Sequence, residues 1–599
     1  MRTNNLLLLL GILSLGTIRA HAQAPCDTLP LPKERVALHL DRNVCLAGET
    51  LWFKAWCFLE GKLEREISKV LYVEIFDETG KAIIQEKYRL NNNTAAGAIP
   101  IPEDVPGKYY FLRAYTRYMR NFSPAGFHYQ QLVIANPYIE HGKIQAPAGA
   151  TLGSAAGPPS RPPRPAAAHP LRIAMEEKQY QPREEIKFEV RSPEPLSATL
   201  SATVRLQGLS APPHPEVLHL NPWLAASCRE DPFCRLPGDA KRLSPVLPEG
   251  PGVENKQAGS LTWLPETRGL TVSGFIRNER GENLADAPLL VAVVQESPML
   301  HIGATDEKGA FTVALQNMQY QKGLLVGTPN KKGEVFIQND FDPRLPDISP
   351  APLMFDSSLH RLLEALYLHQ QVTQVYPVPE NQPAFQPRPF TLPPTNLLAP
   401  DRRFVLADYI EVPTLSEVFN EITAGVALRK EEGRPELAVF NPAEQEWVEA
   451  PLVLLDNVPV FDTKALLDID PAEVQAIEVF ESDYILGDYT VEAAVSVKTQ
   501  TKDFAGYQWG GQAAFTTFKG FAAPRAFAQV VDQGKRHHPD FRPVLYWQPG
   551  LRLRPGQASE AIAVLAPDRP GVYEVVVRGF TRSGASCFGY TTFEVVPAR

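Results

Sequence analysis

Residues 451–499, PLVLLDNVPVFDTKALLDIDPAEVQAIEVFESDYILGDYTVEAAVSVKT, govern how the rest of the chain is read. The apolar run Leu452 to Leu455 is stopped by Asp456-Asn457, residue types that tolerate the left-handed region of a tight turn. Val458 and Val460 follow around Pro459, which cannot donate to a sheet ladder and so suits an edge or a bend. Asp470-Pro471-Ala472-Glu473 has the order of a helix start, with an acid at the cap, proline first inside and Glu three residues on. Ile477 to Phe480 and Val495 to Val497 then read as strands. The spacing predicts a small α+β unit.

This succession resembles the plug domain of TonB-dependent outer-membrane receptors, where a strand ending in an Asp-Gly-type turn leads to a helix and an Ile-Glu-Val strand. Asn457 stands where that family has glycine, and its glycine-rich loop is reduced here to Gly487. Thr414-Leu415-Ser416-Glu417 is a capping box that opens a helix with Leu415, Val418, Phe419 and Ile422 on one side. A plug-like domain is therefore expected over 401–503. A receptor barrel needs many alternating strands of about ten residues each, and the residues after Thr499 are too few to supply them.

At 599 residues the chain is too long for a single core, and the usual ~100–200 residues per domain predicts four to six. Its 57 prolines, nearly twice the ~5% background, gather between domains. The net charge is −9 with no block of Lys or Arg, which argues against nucleic acid as a partner. Met1-Arg2-Thr3, the apolar stretch Leu6 to Leu15 and Ala20-His21-Ala22 make a secretory signal peptide over 1–22. No other stretch has the ~20 apolar residues needed to span a bilayer, so the mature chain is expected to have no transmembrane segment.

Working outward, Val36 to Leu40 alternates, and Leu51, Phe53, Ala55 and Cys57 alternate with Trp52, Lys54 and Trp56. Further strands follow over Val70 to Phe76 and Tyr109 to Tyr115. Such strands, with turns every 8–12 residues, predict a β-sandwich. Leu38-His39-Leu40-Asp41-Arg42, Ala47 to Ala55 and Ser68 to Glu74 resemble the macroglobulin-like sandwich of α2-macroglobulin-type proteins, over 30–137. A Pro/Ala-rich linker at 138–170 follows. Pro182 to Val190 then overlays Ala47 to Ala55, with Ile186, Phe188 and Val190 in the apolar phase. A second such sandwich with a loop insertion is expected over 171–264.

Val272 to Ile276 with the hairpin turn Thr305-Asp306-Glu307-Lys308-Gly309-Ala310-Phe311 resembles the carboxypeptidase regulatory-like domain, expected over 265–345. There Asp306 and Gly309 shape the turn and Phe311 fills the core. Leu359, Leu362, Leu363, Leu366 and Tyr367 place a helix at Ser357 to Val375, within a helix and Pro-rich linker segment at 351–400. Residues 504–541 read as a connector. Tyr546-Trp547-Gln548-Pro549 opens a stretch similar to a segment of macroglobulin-type proteins, a C-terminal sandwich over 542–599. The expected class is mainly β and multidomain, with several Ig/macroglobulin-like sandwiches plus one small α+β plug-like domain.

Catalytic patterns do not emerge. Cys45-Leu46-Ala47-Gly48-Glu49-Thr50 lacks the Gln of a macroglobulin thioester, and no Gly-x-Ser-x-Gly, His-Glu-x-x-His or phosphate loop occurs. His537-His538 near Asp540 reads as a loop rather than a metal site, and His360 and His369 as solvated side chains. No catalytic, cofactor or metal-binding residue is assigned. Six cysteines follow the leader. Cys228 with Cys234 is the favoured disulfide and Cys45 with Cys57 an alternative, since spacing does not determine pairing. Trp52 and Trp56, on one strand face, mark either a contact surface or a face covered by a neighbouring domain. The sequence thus predicts a non-enzymatic exported protein, periplasmic or outer-membrane-associated, that binds an envelope protein or glycan, or an outer-membrane barrel. The alternatives are an accessory of TonB-dependent uptake acting with a separate barrel and, more distantly, a hydrolase.

Overall fold

In the computed structural model the described residues are 31–138, 169–210, 221–231, 233, 261–294, 299–315, 318–328, 333–349, 357–376, 399–431, 433–486, 489–509, 513–529 and 538–597. The expected leader at 1–22, Cys26, Cys234, Gly487 and most of the expected linker at 138–170 lie outside them. The chain is mostly strand, arranged in many small sheets, as its alternating patterns predict.

The first sandwich sets the sheet Glu34–Leu40, Thr50–Leu59, Thr94–Pro100 against a five-stranded sheet ordered Val44–Leu46, His128–Ala135, Lys108–Tyr115, Val70–Phe76, Ala82–Arg89. Leu51, Phe53, Ala55 and Cys57 point into its core, as the alternation requires. Phe53 meets Tyr88 edge-on at 4.6 Å. Any Cβ at Gly97 would lie 2.3 Å from the Tyr88 ring, so this position takes glycine.

The expected pair of sandwiches at 171–264 and 542–599 is a single one. Ala198–Leu206 pairs along one edge with Val544–Leu553 and along the other with Gly571–Thr581. On the facing sheet Glu185–Arg191 pairs with Ile562–Leu565. Ile186, Phe188, Val190, Leu200, Ala202 and Val204 share one core with Leu545, Leu553, Tyr573, Val575 and Phe593. The physical reason is ladder satisfaction. Ala198–Leu206 is buried along most of its length, and such a strand needs both backbone edges hydrogen-bonded. Even His169–Pro170, expected in the linker, pairs with Ser586–Val595. Within the expected loop insertion a helix, Pro222–Glu230, seats Trp223 against Phe111 and Tyr129.

The third β module combines the sheet Ala310–Leu315, Leu270–Arg277, Glu334–Ile337 with Met299–Ala304, Pro288–Val294, Gln321–Gly327, Ala513–Lys519. The last strand falls in the expected connector 504–541, which is therefore part of a sheet. Asp306 Oδ1 accepts from the backbone N–H groups of Lys308 and Ala310, both at 2.9 Å. Gly309 takes φ +73° and Phe311 is buried, so the turn works as its residues suggest. The helix Ser357–Val375 seats Leu362 and Leu366 against the first sandwich.

The α+β unit has a sheet ordered Arg402–Val405, Val474–Phe480, Ala494–Thr499, Leu452–Leu455, Val458–Pro459. Pro459 lies at the sheet edge, and Asp456 and Asn457 both have positive φ. Asp470 accepts from Ala472 N–H, but the helix it was expected to start is a single 3₁₀ turn, Pro471–Glu473. The regular helix is instead Thr463–Leu467, capped by Asp462. A meander unread in the sequence, Val426–Glu431, Arg434–Asn441, Glu446–Glu449, completes the unit. Val458 and Phe461 dock it onto Leu290, Ala292 and Leu325 of the third module.

Candidate functional site

The strand Thr50–Leu59 presents Trp52, Lys54, Trp56 and Phe58 away from the first core, and the second sandwich covers most of that face. Trp56 is fully buried and meets Phe580 edge-on at 5.3 Å, while Phe58 and Phe233 pack on the same ring. Trp52 is half-buried, edge-on to Phe527 at 5.6 Å. The expected contact surface at Trp52 and Trp56 is thus, at Trp56, a contact within the chain. A tryptophan gains most by complete removal from water, and another module of the same chain is permanently at hand.

Polar side chains complete this seam. His39 Nδ1 lies 2.7 Å from Ser201 Oγ of the second sandwich, and its ring meets Trp547 edge-on at 5.3 Å. Burial, reinforced by Arg578 and Arg205, holds its pKa well below the ordinary histidine value. Arg205 pairs with Glu574 at 2.7 Å and donates to the Asp41 carbonyl. Burial pushes the Asp41 carboxyl up to about 6 against the pull of Arg42. The Ser201–His39 contact has the form of a nucleophile and its base. Both residues are fully enclosed, and among the described residues His39 Nε2 has no hydrogen-bond partner, so no acid completes a triad. Their arrangement fastens two modules together.

A second seam joins the first sandwich to residues 261–349. Arg113 pairs with Glu74, donating at 2.9 Å, and reaches the Arg344 carbonyl at 2.7 Å. Tyr115 Oη donates to Glu74 at 2.6 Å and accepts from Asp342 N–H at 2.8 Å. Lys87 Nζ lies 2.6 Å from Asp340 and 3.9 Å from the Phe518 ring centroid. The Glu266 carboxylate accepts from Tyr72 Oη at 3.0 Å and from Thr271 N–H and Oγ1 at 3.0 and 2.8 Å. Burial pushes it up to about 7, outweighing Arg117 and Lys87. Arg120 stacks its guanidinium 3.6 Å from the Trp263 ring centroid. A carboxyl titrating near neutrality can serve as a general acid, but Glu266 is saturated with donors and closed to solvent. Periodicity gave no signal for these groups, because charged residues in strands usually face water.

The described residues hold a small depression lined by Arg35, Ala37, His128, Ser227 and Asp231, with room for about one water molecule. They contain no group of three or more metal-ligating side chains. Asp540 is held by Arg542 at 2.8 and 2.7 Å, and the His538 ring lies tilted against Tyr376 at 5.1 Å; His537 lies outside the described residues. His360 is exposed beside Glu364, whereas His369 is half-buried and its burial lowers it to about 4. Cys45, Cys57 and Cys587 are free and buried, which removes the Cys45–Cys57 alternative. Cys228 is disulfide-bonded; Cys26 and Cys234 lie outside the described residues.

No protein-family model and no curated protein matches the chain. Among solved structures it is similar to Salmonella alpha-2-macroglobulin reacted with methylamine, at 11% identity and TM-score 0.22 over 95% of this chain and 40% of that one. It is likewise similar to trypsin-activated alpha-2-macroglobulin from Escherichia coli, at 11% identity and TM-score 0.21 over 96% and 42%. The elastase-activated Escherichia coli protein aligns at 10% identity and TM-score 0.23 over 94% and 44%. The chain thus spans about two fifths of the length of those proteins.

Proposed function

We propose that this chain is an exported, non-enzymatic envelope protein that acts as a binding scaffold, with its β modules fastened into a frame and its plug-like unit kept as a docking module. The observation that carries the reading is the use of the interior charges. Lys87, Arg113, Glu74, Glu266, Arg205 and Glu574 are buried in the two seams, each engaged by a residue of the chain itself. Groups that could do acid–base work are spent on holding modules together. The plug-like unit, in contrast, leaves Tyr409, Ile410 and Trp447 exposed, and tyrosine and tryptophan are enriched where proteins meet.

Photo-crosslinkers placed at Ile410 and at Trp447 in intact cells test this. An adduct with one envelope protein, glycan or outer-membrane barrel is expected. A chain that stays monomeric and uncrosslinked from both positions sinks the proposal.

The plug resemblance of 401–503 supports a second reading, an accessory of TonB-dependent uptake acting with a separate barrel. Under it, deletion of the gene abolishes uptake of one nutrient and the crosslinked partner is a barrel. The sealed Ser201–His39 pair weighs against a hydrolase.

A further inference from the structure

The depression lined by Arg35, Ala37, His128, Ser227 and Asp231 lies where the helix Pro222–Glu230 meets the first sandwich. Two hydrogen bonds fix that junction. Ser227 Oγ accepts from Tyr129 N–H at 2.8 Å and donates to the Tyr129 carbonyl at 3.2 Å. They dock the end of the helix beside the start of the strand His128–Ala135. They also commit the Ser227 hydroxyl to the backbone, so it is not a nucleophile for the neighbouring histidine.

His128 is left with an unmet bond. It is only 6% exposed, and among the described residues its Nε2 is buried with no hydrogen-bond partner. Native proteins seldom leave such an atom without a partner, an ion or a water. The depression has room for a particle the size of about one water molecule. Gly126, which also lines it, is exposed, so the space opens to solvent.

The surroundings favour a cation. Asp231 is half-buried, and its Oδ1 accepts from Phe233 N–H at 2.9 Å while no described residue engages Oδ2. Asp231 caps the C-terminus of the helix, where the aligned carbonyls add negative potential. Arg35 opposes this, but its guanidinium lies over the Phe58 ring, 5.3 Å from the centroid. Imidazole nitrogen beside carboxylate oxygen is a donor set that suits zinc, copper or nickel better than calcium or magnesium.

We propose that His128 Nε2 and the Asp231 carboxylate are the two protein ligands of a zinc site in this depression, with water completing the shell. Two protein ligands and open positions make a site that loads and releases its ion, unlike the closed four-ligand structural kind. A bound ion pins the helix Pro222–Glu230 to the first sandwich, and the site stands independently of the plug-like unit.

Calorimetric titration of the full chain, disulfide intact and freed of metal by chelator, tests this with zinc in one arm and calcium in the other. Zinc is expected to bind where calcium does not. Binding should vanish in His128→Gln and weaken about tenfold or more in Asp231→Asn. The latter keeps the size of a half-buried side chain and should fold. His360→Ala removes an exposed histidine beside Glu364 and should leave zinc binding unchanged. Should His128→Gln fail to fold, hydrogen exchange on the parent serves: zinc should slow it across Pro222–Glu230 and His128–Ala135. No zinc binding, equal binding of calcium, undiminished binding in either ligand variant, loss of binding in His360→Ala, or exchange indifferent to zinc overturns the proposal.

Discussion

Lys87, fully enclosed on Ala82–Arg89, places its ammonium 2.6 Å from Asp340 of the third module, above the ring of Phe518. Three stretches distant in sequence meet at this point. The ammonium depends on that single carboxylate and on the faces of Phe518, Tyr72 and Phe341.

Removing one partner should therefore harm more than removing both. Asp340→Ala leaves an unpaired buried charge and should cost about 3–5 kcal/mol. Lys87→Met with Asp340→Ala should recover much of that loss. Hydrogen exchange across Ala82–Arg89 and Ala513–Lys519 is the readout, since a multidomain chain has no single unfolding free energy. Additive single effects would contradict the coupling.

Glu266 makes the second seam sensitive to pH. Its folded carboxyl titrates near 7 because of burial, against 4.5 unfolded. Between those values the folded chain holds one more proton than the unfolded chain. Its contribution is therefore complete below about pH 4.5 and is lost as pH rises through 7. Glu266→Gln should differ little from the parent below pH 5 and exceed it at pH 8 by roughly 3 kcal/mol, read as hydrogen-exchange protection across Leu270–Arg277 against pH. His369 acts oppositely: held at about 4 by burial and Arg42, it removes stability as pH falls below 6.5. The comparison must therefore be made at matched pH.

Trp56→Ala should cost about 3–5 kcal/mol and loosen the first sandwich from the second, seen as an expanded scattering profile and faster proteolysis. Trp52→Ala, at a half-buried site, should cost markedly less. If Trp56→Ala instead leaves stability unchanged and abolishes binding of a partner, the seam assignment is wrong.

Non-reducing peptide mapping should recover Cys228 joined to Cys234, the pairing proposed from their proximity in sequence. Cys45, Cys57 and Cys587 should resist alkylation until the chain unfolds, because burial raises all three thiols. Reduction should cost about 2 kcal/mol, as for a short loop. A Cys228–Cys26 link refutes the pairing.

Much of the local structure was legible in the chain. Leu51, Phe53 and Ala55 face one core, Asp306 and Gly309 turn a hairpin, and Asp456-Asn457 takes the left-handed turn, each from residues within a few positions of one another. The candidate contact face was legible only in part. That Trp52, Lys54 and Trp56 share a face follows from the period of two, but Trp56 is hidden by Phe580, more than five hundred residues later.

The sequence by itself determined that this is a mainly β chain of several modules with one α+β unit, and which side chains share a face in the strands it revealed, such as Thr50–Leu59. Only the tertiary structure decided that Ala198–Leu206 lies between Val544–Leu553 and Gly571–Thr581, that Ala513–Lys519 closes the third module, and which buried cations find acids. Side-chain alternation is written locally in every strand. Backbone ladders are chemically the same in all strands, so the choice of distant partner depends on complementary packing and on where unpaired charges end.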